Sequence, residues 1–253
     1  MEEKNAVWEA MAKRYPRFYD DSMRKDVQFI LDWCEDKGVC FENKSILDIG
    51  SGTGTIAIPL ALKGARVTAV DVSSGMLKAL REDAHAHGVH EAIQTHQSDW
   101  EAFADENTYD IVLASMTPAI NSEEKIEKMM ASSDTMGIYV GWGSYRTNLF
   151  VDALMQAHGI EDDCSSNGCF KTRQFMDRLE QKSMRYHHTF FETSWTEIYT
   201  PEEAKKYAYE QLQRREITPQ ESVIKRLLVS NSSDQDKVHI TTKAEKGIVV
   251  WYK

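Results

Sequence analysis

The run Ile46-Leu47-Asp48-Ile49-Gly50-Ser51-Gly52-Thr53-Gly54-Thr55 limits how this chain can fold more than any other stretch. An apolar segment with one acid inside it stops at three alternating glycines. The apolar, helix-like segment Ile56-Ala57-Ile58-Pro59-Leu60-Ala61-Leu62 follows at once. This order predicts strand, tight turn and helix. Glycine lets the backbone take positive φ and approach a ligand closely. The start of the helix presents unpaired N–H groups to whatever binds there.

Two nucleotide-like ligands compete for such a unit. A dinucleotide fold needs G-x-G-x-x-G/A, its last small residue serving helix–strand packing. Here Gly50, Gly52 and Gly54 alternate, and Thr55 stands where that fingerprint needs a small residue. Asp48 lies outside the fingerprint and suits a ligand with a cationic amine beside the turn. A second strand, Ala65-Arg66-Val67-Thr68-Ala69-Val70-Asp71, ends in an acid able to accept hydrogen bonds from both hydroxyls of a ribose. A P-loop is excluded, because no Gly-Lys-Ser/Thr follows the glycines.

Asp48-Ile49-Gly50-Ser51-Gly52-Thr53-Gly54, followed by Val70-Asp71-Val72-Ser73-Ser74-Gly75-Met76-Leu77, resembles the class I S-adenosylmethionine-dependent methyltransferases. The resemblance covers roughly Ile46 to Gly143. It implies S-adenosylmethionine as cofactor, with S-adenosylhomocysteine as product. Asp48, Gly50, Ser51, Gly52 and Gly54 would hold its methionine part, and Asp71 with Val72 its ribose. Met76 would pack near the adenine. Asp99 would read the adenine amine and Trp100 would cover the ring. Ser115 would line the site at the exit of the fourth strand. The stretch Ser115-Met116-Thr117-Pro118-Ala119 departs from the Asn/Asp-Pro-Pro-aromatic motif of many adenine and glutamine methyltransferases, which counts against those acceptors.

Around this unit the chain alternates strand and helix. Strands are expected near 45–49, 66–71, 92–97, 109–115 and 136–142, and helices near 55–63, 74–87, 121–131 and 147–158. Such alternation implies parallel strands joined by right-handed crossovers. Two N-terminal helices, about Asn5–Arg14 and Ser22–Lys37, flank the aromatic, basic break Lys13-Arg14-Tyr15-Pro16-Arg17-Phe18-Tyr19. A helix near 171–181 precedes a strand at Met184–Tyr199, and helices near 201–216 and 219–229 lie between that strand and a closing β segment at Val238–Tyr252, the latter broken near Lys246-Gly247. The expected fold class is α/β: a Rossmann-like, doubly wound, mostly parallel seven-stranded sheet. It has an antiparallel C-terminal hairpin, N-terminal helices and a late helical insertion. One domain is expected over 1–253, with a lid at 1–40, a cofactor-binding core at 41–146 and substrate-side elements at 147–253.

Ligands of open α/β sheets bind at the carboxyl ends of the strands. Gly50–Gly54, Asp71 and Val72, Gln97–Trp100, Ser115–Ala119 and Gly141–Arg146 are therefore the expected lining. Asp110 opens its strand at the other end and reads as structural. Tyr15 and Tyr19 are the candidates for the methyl-transfer face. Transfer from a sulfonium needs positioning and exclusion of water more than a catalytic dyad.

The formal net charge of −10 argues against a nucleic-acid partner held by bulk charge. No membrane segment and no secretory signal are legible, and a cytoplasmic protein is expected. Cys34, Cys40, Cys164 and Cys169 read as reduced thiols, with no metal at the Cys164/Cys169 pair. His85, His87, His90 and His96 are not expected to bind metal either, since i and i+2 share no helix face. The adjacent His187 and His188 should face opposite sides of a strand. The expected acceptor is a small molecule enclosed by Tyr15–Tyr19 and the insertion after Tyr199. A protein or RNA acceptor, or a cofactor-binding regulatory protein without transferase activity, are the alternatives.

Overall fold

The computed structural model describes residues 2–105, 107–160, 171–234 and 237–253. In chain order the elements are α1 (Glu2–Met11), α2 (Asp21–Asp36), β1 (Ser45–Ile49), α3 (Ala57–Leu62), β2 (Arg66–Asp71), α4 (Ser74–Ala86), β3 (Ile93–Gln97), β4 (Tyr109–Ser115), α5 (Glu123–Ala131), β5 (Ser133–Asn148), α6 (Leu149–Ala157), α7 (Lys171–Gln181), β6 (Arg185–Tyr199), α8 (Pro201–Gln213), α9 (Glu221–Ser230), β7 (Ser232–Asp234) and β8 (Lys237–Tyr252). The chain forms two compact units. One comprises Met1–Gly141, Thr172–Thr189 and Gly247–Lys253, the other Trp142–Lys171 and Phe190–Lys246.

The strand order is β3-β2-β1-β4-β5-β8-β6, with the short β7 pairing antiparallel to β8 off this path. β1 pairs parallel with both β2 and β4, β2 with β3, and β4 with β5. The chain winds outward from β1 through β2 to β3 and then restarts at β4 on the other side of β1. The carboxyl end of β1 is therefore the topological switch point of the sheet. Ile46, Leu47 and Ile49 are buried, as expected of a central strand covered on both faces. At the amino ends, Asp110 accepts from the Ser45 amide and hydroxyl, both at 2.8 Å, and so joins β4 to β1. Its structural reading holds.

In the first unit a core of Leu47, Ile49, Val70, Trp100, Val112 and Trp251, among others, fills one face. Trp251 is fully buried, and Gly137 lies directly beneath it: a Cβ on Gly137 would overlap the indole. Gly137→Ala is expected to destabilise the protein by about 1–3 kcal/mol through overpacking. Urea unfolding would show this as a lower midpoint at unchanged slope.

In the second unit Phe150, Leu154, Ala204, Leu212, Ile224 and Ile240 form a separate apolar cluster. The expected helix opening at Pro201 is present, completed by a reciprocal Thr200–Glu203 capping box.

Three expectations about strands need correction. β5 does not end at Trp142 but runs to Asn148, so Gly141–Arg146 are strand residues and not a loop at its exit. Gly141 and Gly143 have no positive φ. They are small because neighbours lie against them: Tyr139 and Thr172 over Gly141, and Glu245 over Gly143. β8 is unbroken through Lys246-Gly247. Ser232–Asp234 adds a strand that the sequence did not announce. The Cys164/Cys169 pair lies outside the described residues.

Candidate functional site

The three glycines take positive φ, +70° at Gly50, +54° at Gly52 and +80° at Gly54. The turn is tied to the second strand: the Gly50 and Ser51 amides donate to the Val70 carbonyl at 2.8 and 3.0 Å. Asp71 fixes both sides of the cleft between the two turns. Its Oδ2 accepts from the Gly52 amide and its Oδ1 from the Ser73 amide, each at 2.9 Å. Thr117, just past β4, lies so close to Gly50 that any side chain there would strike it. Three strand ends thus meet at one place, the switch point of the sheet.

The electrostatics of this place are unusual. Asp48 is only 3% exposed. Burial first, and the nearby Asp71 charge second, push its pKa up to about 7. Asp71 is also raised by burial, against the lowering effect of the backbone amides of Ser73, Gly52 and Val72, while the charge of Glu9 adds to the rise. The Ser51 hydroxyl is buried without a hydrogen-bond partner among the described residues. A buried acid pair beside an unpaired hydroxyl favours a cationic, hydrogen-bonding ligand.

The N-terminal segment is built into the site. The Thr53 hydroxyl donates to the Pro16 carbonyl at 2.6 Å. The Tyr15 ring lies 3.8 Å from where a Gly52 Cβ would be. Burial, then the Asp71 charge, raises the Tyr15 hydroxyl pKa. The Glu9 carboxylate accepts from the Ser73 hydroxyl at 2.7 Å, the Gly75 amide at 3.1 Å and the Ser74 hydroxyl at 3.1 Å. An anion at a helix start is well placed, and these bonds hold its pKa below the usual range. Neither the Glu9 contact nor the Thr53–Pro16 tie was foreseen. Both join residues distant in sequence, and no local pattern announces them.

From there the segment follows α4. Arg17 pairs with Asp83 at 3.1 Å, and Phe18 meets the His87 ring edge-on at 4.7 Å. Tyr19 stacks near the same His87 and is half exposed. His87 caps the far end of α4, about 20 Å along a helix of this length from its start. The structure therefore places Tyr15 at the glycine loop but does not bring Tyr19 there.

The remaining candidates divide. Val72 is half-buried at the rim, its carbonyl accepting from the Gln97 side chain. Ser115 ends β4, half-buried beside the positive-φ Met116. Asp99 follows β3, its Oδ1 accepting from the Glu101 amide at 2.8 Å. Met76 is buried in the first turn of α4. Trp100 is only 3% exposed; its indole donates to the Lys125 carbonyl and stacks on Phe103. Lys128 closes this knot, its ammonium donating to the carbonyls of Trp100, Glu101 and Phe103 at 2.6, 3.1 and 2.5 Å. In this structure Trp100 is part of the core.

Among the described residues no group of His, Cys, Asp and Glu is arranged to hold a metal. His85 and His90 stack on each other, while His187 meets Tyr252 and His188 meets Tyr186. No helix of the described residues is long and apolar enough to cross a membrane.

Residues 46–135 match the family model of a methyltransferase domain. An uncharacterized protein of Haemophilus influenzae is 29% identical over 158 residues, 60% of this chain and 54% of its own length. The release factor glutamine methyltransferase of Chlorobaculum tepidum is 53% identical over 60 residues, 23% of this chain and 20% of its own. The chain thus spans about half, or less, of the length of these curated relatives. The crystal structure of magnesium protoporphyrin IX methyltransferase from Synechocystis PCC 6803, with bound S-adenosylhomocysteine, superposes with a TM-score of 0.57 at 18% identity. It covers 76% of this chain and 92% of that one, which shows a shared fold.

Proposed function

We propose that this chain, whose residues 46–135 belong to the methyltransferase domain family, transfers a methyl group from S-adenosylmethionine to a small-molecule acceptor. The observation that carries the reading is the pair of acids at the switch point. Asp71 stands at the end of β2 with both carboxylate oxygens turned to the two loops. Asp48 is a buried acid whose pKa is raised by burial and by the nearby Asp71 charge. A ribose diol suits the first, and a cationic amino-acid group suits the second together with the orphaned Ser51 hydroxyl. Gly52, where an added Cβ would meet only the Tyr15 ring at 3.8 Å, leaves the backbone open to close approach. The bound cofactor supplies an activated methyl group on its sulfonium. The chain's own task is to hold it, orient the acceptor and exclude water.

Tyr15 and the Pro16 carbonyl, held at the glycine loop, support an enclosing role for the N-terminal segment. A small acceptor fits an enclosed site, and a net charge of −10 disfavours a nucleic acid. The Ser-Met-Thr-Pro-Ala stretch after β4 disfavours a glutamine acceptor, despite the local identity to a release factor enzyme.

Calorimetry should show binding of S-adenosylmethionine in preference to NAD. Methyl-labelled cofactor incubated with a metabolite extract should yield label in the small-molecule fraction. Removing the residues before Asp20 should abolish that turnover while the core still folds. Label appearing instead in protein or RNA, or full activity of the truncated chain, would overturn the small-molecule reading. Preference for NAD would overturn the cofactor assignment.

A further inference from the structure

The second unit carries a cluster of side chains with no part in the site above. Trp142 on β5 and Trp195 on β6 stack at 6.2 Å between ring centroids, with an interplanar angle of 28°. The Arg146 guanidinium lies against both, 4.7 Å from the Trp142 ring and 5.7 Å from the Trp195 ring. The Lys246 ammonium on β8 lies 5.9 Å from the Trp142 ring, although the residue is only 7% exposed.

We propose that Trp142, Trp195 and Arg146 form a binding site for a planar aromatic oxyanion, a flat ring bearing a carboxylate or a phosphate. Strand alternation sorts the charges. Trp142 and Arg146 are four apart on β5 and share a face. The intervening Gly143 and Tyr145 belong to the other face, and it is there that acids gather. Glu245 covers Gly143 and accepts from the Ser144 amide at 2.7 Å, and Glu192 accepts from the Tyr145 hydroxyl at 2.8 Å. Lys246, next to Glu245, turns to the tryptophan side.

Arg146 is exposed, and no carboxylate among the described residues lies within ion-pair distance of it, in a chain with 40 acidic residues. Glu197, two residues beyond Trp195 on β6, and Arg146 both act electrostatically on Tyr207. A guanidinium stacked on an indole keeps its edge of N–H donors free for bidentate recognition of an oxyanion. The half-buried indoles offer the flat surface a ring needs, with few rotamers to freeze. The exposed Arg146 guanidinium on this aromatic face selects the anion.

The proposal makes no use of methyl transfer, and its test contains no cofactor, so its failure leaves the transferase reading untouched. The full chain is titrated with 2-naphthoate, 2-naphthyl phosphate and neutral 2-naphthamide, followed by calorimetry and indole fluorescence. At least one anion should bind about tenfold or more tightly than the amide, the value of one charge-assisted hydrogen bond. Arg146→Gln should remove that preference while leaving the unfolding midpoint unchanged, since its side chain is exposed. Trp195→Ala should weaken anion and amide alike. No binding of either anion at 1 mM (about the weakest useful affinity), equal binding of anion and amide, or a preference that survives Arg146→Gln would overturn the proposal.

Discussion

Asp48→Asn is expected to stabilise the ligand-free protein at pH 8 and to weaken S-adenosylmethionine binding at the same time. The Asp48 carboxyl is fully buried, and its pKa is raised from 3.8 to about 7 by burial and then by the Asp71 charge. A folded-state pKa above the unfolded one means that the folded protein holds the proton more tightly. The stability this brings is complete below pH 3.8, falls as pH rises, and is gone above about pH 7. The interval between the two values corresponds to about 4 kcal/mol. Asparagine has nearly the same shape and no charge to bury, so the variant should lose this pH dependence. Urea unfolding at several pH values should give curves that converge near pH 4 and separate toward pH 8, with the variant more stable. An unchanged gap across that range would show that Asp48 ionises normally. Cofactor binding should have the opposite sign, because the ionised acid is the form that pairs with an ammonium group. Binding near pH 6 should therefore release a proton from the wild type and none from Asp48 in the variant. Calorimetry in buffers of different ionisation enthalpy separates the two.

Asp71→Ala is expected to cost the most affinity of any single change at the site. The carboxylate holds the Gly52 and Ser73 amides at 2.9 Å each, and under the proposed function it also receives the ribose hydroxyls. Each charge-assisted hydrogen bond is worth about 1.5–3 kcal/mol, and 1.4 kcal/mol is about tenfold in affinity. A loss of two such bonds would weaken S-adenosylmethionine binding by about a hundredfold or more. A second readout comes from Asp48. Asp71 contributes to its raised pKa, so removing Asp71 should move the pH midpoint of the stability profile below about 7. Cofactor affinity within a factor of two of wild type (about 0.4 kcal/mol) would exclude Asp71 from the binding site.

The sequence by itself determined the parallel core and the place of its candidate ligand site. Those rest on short-range patterns: an apolar strand, three glycines in alternation, a helix start, and an acid ending the next strand. Gly50, Gly52 and Gly54 need positive φ whatever surrounds them, and the turn follows from the residues inside it. Asp110 could likewise be assigned to the opposite end from its position alone. Tertiary structure decided the rest, because the deciding partners are far away along the chain. The fifth strand is expected to end near residue 142, but it runs on to Asn148, with the side chains of Thr172 and Glu245 lying against Gly141 and Gly143. Trp100 follows the third strand as an adenine cover would, yet Lys128 and Phe103 draw it into the core. Tyr15 and Tyr19 look equivalent in sequence. Only the ties of Glu9 to Ser73 and of Pro16 to Thr53 leave one at the glycine loop, while Arg17 on Asp83 leads the other to the far end of α4. Local geometry is written in adjacent residues. Which side chain reaches a site depends on contacts that exist only once the chain has folded.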